Sequence, residues 1–365
     1  MRRFRILFLL VCAGILCSPA RPQEKRKVII DQDARGPATT DEQAILALIQ
    51  SPDTDVLGIT VVTGDQWRDE EVAHTLRMLE LIGRSDIGVV PGAVFPLVNS
   101  KEFIAAWEKL YGKVVYQGAW NWPAGKTHGP WEIPPFLEGA PTIKPADEDA
   151  AHFLIRMVRR YPHQVTICAA GPLTDIALAI AIDPHFAELA QELVVMGGSI
   201  NPQATDAEFR LNPRREFNFW MDPEAAHIVL TAPWAKITDT PVDISIKTRM
   251  TKAMIGEIAE ANTPVALYLA RYANEEYMWD ELSVAAWIDP SIITKSEKLY
   301  LDVSTDKGAT YGDTQAWPVG QNPGLGEQLI TVNEDLDTTK FYTEFIELMK
   351  RQTPPAPSNV LKRRP

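Results

Sequence analysis

Short β-branched, apolar runs alternate with helix-period patterns along most of the chain. Lys27 to Asp31 precedes a helical pattern over Asp41 to Gln50, Val56 to Thr63 precedes Asp69 to Ile82, and Gln164 to Ala169 precedes Thr174 to Ile182. Alternation of this kind predicts parallel strands joined by crossover helices, hence an α/β fold on a single doubly wound, mostly parallel sheet with flanking helices. Further strands are expected at Leu193 to Met196 and Lys236 to Thr240, with helices near Pro223 to Leu230, Val265 to Asn274 and Leu282 to Trp287. Residues 121–145 break the rhythm with six Pro and three Gly, and with Trp120 they bring three Trp together. Such a stretch is either a surface connection or an aromatic flap over a ligand.

The ends of the chain are patterned differently. Arg2, Arg3 and Arg5 precede an apolar run from Ile6 to Cys17, followed by Ser18-Pro19-Ala20. This is the layout of a signal peptide at 1–20 cleaved after Ala20, so the mature protein is expected to be secreted or periplasmic. A helix of roughly 18 Å is too short for a bilayer core of roughly 30 Å, so no membrane attachment is expected after cleavage. The folded domain is then 21–350, and the Pro-rich, basic stretch 351–365 is expected to be a disordered tail. Cleavage leaves Cys168 as the only thiol, in an apolar run, so the protein must be stable without disulfides. Of 36 basic and 48 acidic residues, the mature chain keeps 33 and 48, a net charge of −15. That charge repels phosphate backbones and argues against a nucleic-acid partner.

The acids matter most near the first strand, where Asp31 and Asp33 lie at its carboxyl end and Asp41 and Glu42 where the next helix begins. Ligands bind in this crevice of open α/β sheets. Helix capping accounts for Asp41 and Glu42 but not for Asp31 and Asp33. Two carboxylates about 4 Å apart repel by roughly 4 kcal/mol at an effective dielectric of about 20, so four of them call for a cation or shared protons. All six His lie away from these acids in sequence, so an oxygen-only site for Ca²⁺ or Mg²⁺ is indicated. The same Asp-x-Asp also suits a Mg²⁺ phosphohydrolase.

Several blocks, in order, resemble the inosine/uridine-type nucleoside hydrolases. They are Val28-Ile29-Ile30-Asp31-Gln32-Asp33 with Asp41-Glu42, then Leu57 to Asp65, Val90-Pro91-Gly92-Ala93 and Ala170 to Ala177. Met196-Gly197-Gly198, Glu216-Phe217-Asn218 leading into Asp222 to Ala226, and Trp279-Asp280 complete the set, so the likeness runs from about Lys27 to Tyr342. The resemblance implies an enzyme that cleaves the N-glycosidic bond of small-molecule ribonucleosides with a tightly bound Ca²⁺, working as a homodimer or homotetramer. It implies calcium ligands at Asp33, Glu42, the main-chain carbonyl of Ala170, and Asp280, with Asp33 also taking the proton of the attacking water. It implies sugar contacts from Asp41, Glu216 and Asn218, with Met196 lining the pocket.

Trp279 stands where many pyrimidine-accepting or nonspecific members carry His, and Asp65 where others carry Asn. In both respects the chain is similar to the purine-specific branch, in which an aromatic face against the base favours its protonation. A second stacking aromatic is expected; Asn99 occupies its usual place, leaving Trp107, Trp120 or Trp122 as candidates. The chain also departs from the family: seven residues rather than three separate Asp33 from Asp41, and Glu42 replaces Asp. The segment 205–215 matches poorly, with Asn212 or Thr205 as candidates for the 5′-hydroxyl contact. Arg35, Arg210, Arg214 and Arg215 are either solvated surface or positive charge at the sugar's 5′ side. These departures leave a second reading, a calcium-dependent sugar or nucleoside binding protein without turnover.

Overall fold

The computed structural model describes residues 24–121 and 127–356, so the expected signal peptide, Trp122 and the end of the expected tail lie outside the described residues. Nine strands form one sheet: β1 (Arg26–Gln32), β2 (Thr54–Val61), β3 (Val89–Pro91), β4 (Val165–Ala170), β5 (Glu192–Met196), β6 (Ile237–Thr240), β7 (Ile293–Val303), β8 (Thr314–Pro318) and β9 (Leu329–Leu336). Their spatial order is β3-β2-β1-β4-β5-β6-β9-β7-β8. From β3 to β9 all neighbours are parallel; β7 runs antiparallel to β9 and β8 antiparallel to β7.

The central strands read as continuous apolar runs because helices cover both faces. On β1, Val28 and Ile30 join one core with the helices Thr40–Gln50, Trp279–Ile288 and Thr338–Lys350, while Ile29 joins the other with Ala150–Arg160, Thr174–Ile182 and Pro223–Thr231. The strands and helices expected from the pattern all form, with ends shifted by no more than three residues. The strands β3, β7, β8 and β9 were not expected. The cause is visible in β7, whose first half, Thr294 to Lys298, is polar and exposed, so it carries no apolar signal.

The described part of 121–145 follows the helix Arg68–Leu81 and reaches no ligand cavity. His128 Nε2 meets Glu70 Oε2 at 2.9 Å, Trp67 Nε1 donates to the His128 carbonyl at 2.9 Å, and Arg77 Nε donates to the Glu138 carbonyl at 2.8 Å. It is a surface connection, stapled along its length. Cys168 is buried and unpaired, as its apolar surroundings required.

Candidate active site

Connections from β1 lead to β2 and β3 on one side, while those from β4 lead to β5 and β6 on the other. The chain therefore reverses its winding between β1 and β4, where the carboxyl ends of two strands diverge and leave a crevice. Gln32 pairs in register with Ala170 at that point. An open cavity lies there, lined by residues from both sides of the crevice. Nine of the eleven residues selected from sequence line it: Asp33, Asp41, Asp65, Ala170, Met196, Glu216, Asn218, Trp279 and Asp280.

Two helix starts present the deepest acids. The helix Thr40–Gln50 brings Asp41 and the helix Trp279–Ile288 brings Asp280. They are fastened through Thr40, whose hydroxyl donates to Glu281 Oε2 at 2.5 Å and accepts from the Asp280 N–H at 3.2 Å. Asp33, just beyond β1, accepts from the Asp65 N–H at 3.0 Å. Gly64 and Gly171 press on it: a Cβ at Gly64 would lie 2.0 Å from Asp33 Oδ2, and one at Gly171 2.8 Å from Oδ1. Only residues without side chains leave that carboxylate its place.

Gln32 is a contact the sequence did not reveal. Its Nε2 donates to Asp280 Oδ2 at 2.5 Å and lies 3.4 Å from Asp41 Oδ1, so one neutral amide bridges two carboxylates. Glu216 also differs from its expected part. Its carboxylate accepts the N–H groups of Gly198 (2.8 Å), Asn218 (2.8 Å) and Phe219 (3.1 Å), capping the short helix Phe217–Met221. Asn218 is aimed in turn by donating Nδ2 to the Met196 carbonyl at 3.1 Å. Glu216 thus lines the cavity while it shapes the backbone that holds Asn218.

Two of the selected residues lie elsewhere. Successive helical residues point about 100° apart, so when Asp41 faces the cavity Glu42 cannot. Glu42 instead accepts from the Ala38 N–H at 2.6 Å and the Tyr268 hydroxyl at 2.5 Å in the apolar interior. Asn212 lines a smaller neighbouring recess, with Nδ2 donating to Asp313 Oδ1 at 3.1 Å. Asp31, too, is turned from the cavity, its carboxylate accepting from the Thr60 hydroxyl. The expected convergence of four acids from residues 31 to 42 is therefore corrected to Asp33 and Asp41, joined by Asp280 and Asp65 from distant segments.

The rim holds what sequence reasoning placed loosely or missed. Arg35 enters the cavity, but Arg210 and Arg214 do not line it, and Arg215 pairs with Asp313 at 3.1 Å beside the recess, its guanidinium over Trp107. Trp107 and Trp120 are buried away from the cavity, so neither supplies the second aromatic. Tyr116, Phe209 and Phe217 line it instead, with Phe209 edge-on to Trp279 at 6.0 Å between ring centroids. Glu208 also lines it, from the poorly matching segment.

Burial governs the charge of these groups. Asp33 and Asp280 are held well above the usual carboxylate range, first by burial and then by neighbouring carboxylates, Asp65 for the former and Asp41 for the latter. Asp41 rises to about 8 through burial and Asp65, Glu216 to about 7 chiefly through burial, and Glu208 to about 8 through burial and Glu216. Such a pocket takes up protons or a cation. Its donors, the Asp33, Asp41 and Asp280 carboxylates and the Ala170 carbonyl, are hard oxygens that suit a divalent cation of the Ca²⁺ or Mg²⁺ type. Among the described residues no three acidic, His or Cys side chains yet converge as a ligand shell, so the fit lies in donor chemistry.

Residues 28–343 match the family model described as inosine-uridine preferring nucleoside hydrolase. A pyrimidine-specific ribonucleoside hydrolase of Salmonella arizonae is 30% identical over 339 residues, covering 88% of this chain and 98% of its own. A solved plant nucleoside hydrolase superimposes with a TM-score of 0.70 at 25% identity, covering 91% of this chain and all of its own. A purine-preferring ribonucleoside hydrolase from Gardnerella vaginalis shares the fold at a TM-score of 0.70 and 22% identity, covering 89% and 98%. The chain belongs to the inosine-uridine preferring nucleoside hydrolase family, whose members hydrolyse the N-glycosidic bond of nucleosides.

Proposed function

We propose that the protein is an exported, calcium-dependent ribonucleoside hydrolase that prefers purine nucleosides. The observation that carries this reading is one cavity with two chemistries: a floor of buried carboxylates and an amide, Asp33, Asp41, Asp280 and Asn218, under a rim of Trp279, Tyr116 and Phe209. The polar floor suits a polyol and the aromatic rim a flat heterocycle. Calcium is supported by the oxygen-only donors; it would be held by Asp33, Asp280 and the Ala170 carbonyl, and when bound it would supply a fixed frame for sugar and water. Around it, Asp33 would accept the proton of the attacking water, and Asp41 and Asn218 would hold ribose hydroxyls. The buried carboxylates stabilise the positive charge that grows on the sugar ring as the bond to the base breaks. Export rests on the pattern of residues 1–20, and a homodimer or homotetramer on the family resemblance.

Ribose release from inosine, adenosine, guanosine and uridine, with calcium and after chelation, tests the proposal. Release from purine nucleosides that stops on chelation is the expected result, and no release from any of the four would overturn it. One observation favours a second reading, a nucleoside-binding protein without turnover: Glu42 accepts from the Tyr268 hydroxyl in the apolar interior, away from the other calcium ligands that the resemblance implies. Calcium-dependent binding by calorimetry without product would establish that reading instead.

A further inference from the structure

Arg35 is the one cationic side chain among the residues that line the cavity. It comes from the segment between Asp33 and Asp41, which is four residues longer than the family pattern, so the family's own site does not account for it. Its guanidinium is held on three sides. Nη1 lies 3.0 Å from Asp65 Oδ2 and donates to the Tyr116 hydroxyl at 3.3 Å, and Nη2 donates to Glu276 Oε2 at 3.2 Å. Asp65 ties Arg35 to the acidic side, where its N–H holds Asp33, while Tyr116 and Glu276, which precedes Trp279 by three residues, tie it to the aromatic side. The side chain is 20% exposed, against 2% for the Asp33 residue and 3% for Asp41.

A guanidinium carries five N–H donors, and these contacts occupy no more than three. We infer that Arg35 binds the departing base, donating to the exocyclic oxygen of a 6-oxopurine, or the equivalent 4-oxo group of a pyrimidine. This deepens the hydrolase reading and rests on it. When the C1′–N bond breaks, its electron pair leaves with the base and spreads onto that oxygen. Water forms the new bond to C1′ and gives its proton to Asp33, while the base anion takes a proton from solvent. Arg35 keeps its own protons throughout and lowers the barrier by donating a hydrogen bond to the oxygen on which negative charge develops. The amino group of adenosine or cytidine would point a donor at a donor, so oxo-nucleosides are the substrate class selected. The pair with Asp65 keeps the guanidinium aimed, a planar fork that Lys cannot reproduce.

Three substrates separate this role from a structural one: inosine, adenosine, and 4-nitrophenyl β-D-ribofuranoside, whose phenolate leaves without help. In Arg35→Met the ratio of kcat/KM for inosine to that for the nitrophenyl riboside should fall about 100-fold. For adenosine the corresponding ratio should fall less than tenfold, and Arg35→Lys should recover part of the inosine loss. An equal fall on inosine and the nitrophenyl riboside, or an unchanged ratio, would overturn the inference. Should the variants fail to fold, the native protein still decides: purine riboside, which lacks the 6-oxo group, should be turned over at least 30-fold less efficiently than inosine, and parity would overturn it. Native protein that releases ribose from no nucleoside would instead overturn the hydrolase reading, and does so without any variant.

Discussion

The glycine at position 64 gives the sharpest quantitative test of how the candidate base is held. In Gly64→Ala the new methyl would start 2.0 Å from Asp33 Oδ2 and 2.6 Å from its Cβ and Cγ. Ordinary contact needs about 3.4 Å or more, so carboxylate and loop together must part by more than about 1 Å. The Asp33 side chain has little room, since Gly171 already closes on Oδ1. Overpacking of this kind costs about 1–3 kcal/mol. At about 2.1 cal/mol/K per residue, roughly 330 ordered residues give an unfolding entropy near 0.7 kcal/mol/K, so Tm should drop by only about 1.5–4 °C. Activity should suffer far more, because displacing a reacting group by about 1 Å costs on the order of 100-fold in rate. The assay is ribose release from inosine beside thermal melting, with Gly256→Ala as a control. Gly256 lies in the helix Lys252–Ala259 with nothing within 4 Å of an added Cβ, so that change should raise stability by up to about 1 kcal/mol and leave turnover alone. A Gly64→Ala protein with kcat/KM within threefold of native would refute the argument that Asp33 is held by backbone approach.

Asp33→Ala should abolish turnover and weaken calcium binding measured by calorimetry; normal turnover would contradict its assigned role. In chelator, Asp41, Glu216 and Glu208 titrate in the folded protein at about 8, 7 and 8, above their unfolded values, so the native state holds protons the unfolded chain has released. Stability is then present below pH about 4 and lost as pH rises toward 8, and calcium should flatten that slope in thermal melts; a chelated protein that melts identically at pH 5 and pH 8 would disprove the linkage. Glu216→Ala removes the acceptor of three backbone N–H groups and should lower stability by about 2 kcal/mol, with a rise in KM as Asn218 loses its support. Trp279→Ala should reduce kcat/KM on inosine at least tenfold more than on the nitrophenyl riboside, and equal losses would return Trp279 to a packing role.

The winding of the sheet was legible because its strands are buried on both faces and leave unbroken apolar runs, and the crevice followed from that winding. Asp33 and Asp41 were legible from their place at the carboxyl end of the first strand and the start of the next helix, and Asp280 through the likeness of Trp279-Asp280 to the nucleoside hydrolases. What failed to show has a common cause. Glu42 was placed by adjacency in sequence, whereas the 100° step of the helix sends it to Tyr268. Gln32 stands between two suspected acids in the first block, yet an amide in a strand carries no signal that it meets Asp280, 248 residues away, as well as Asp41. Glu208 and Tyr116 come from irregular segments, where no period fixes which side chains face inward. Asn212 shows the same failure in reverse, since the short helix Ala207–Leu211 delivers Glu208 to the cavity and Asn212 to Asp313.

The latch at Thr40 bears on motion. By fastening the starts of two long helices, it makes the acidic end of the cavity part of one stiff body with the sheet. The opposite wall includes the five-residue helix Ala207–Leu211, in which Phe209 is the one buried residue. Local opening is cheapest in such segments. Traffic into and out of the cavity should therefore proceed by yielding of the base side while the sugar side stays still, and amide exchange should be fast along 204–211 and slow at 41–46. Equal protection of the two walls would show that the whole cavity moves together.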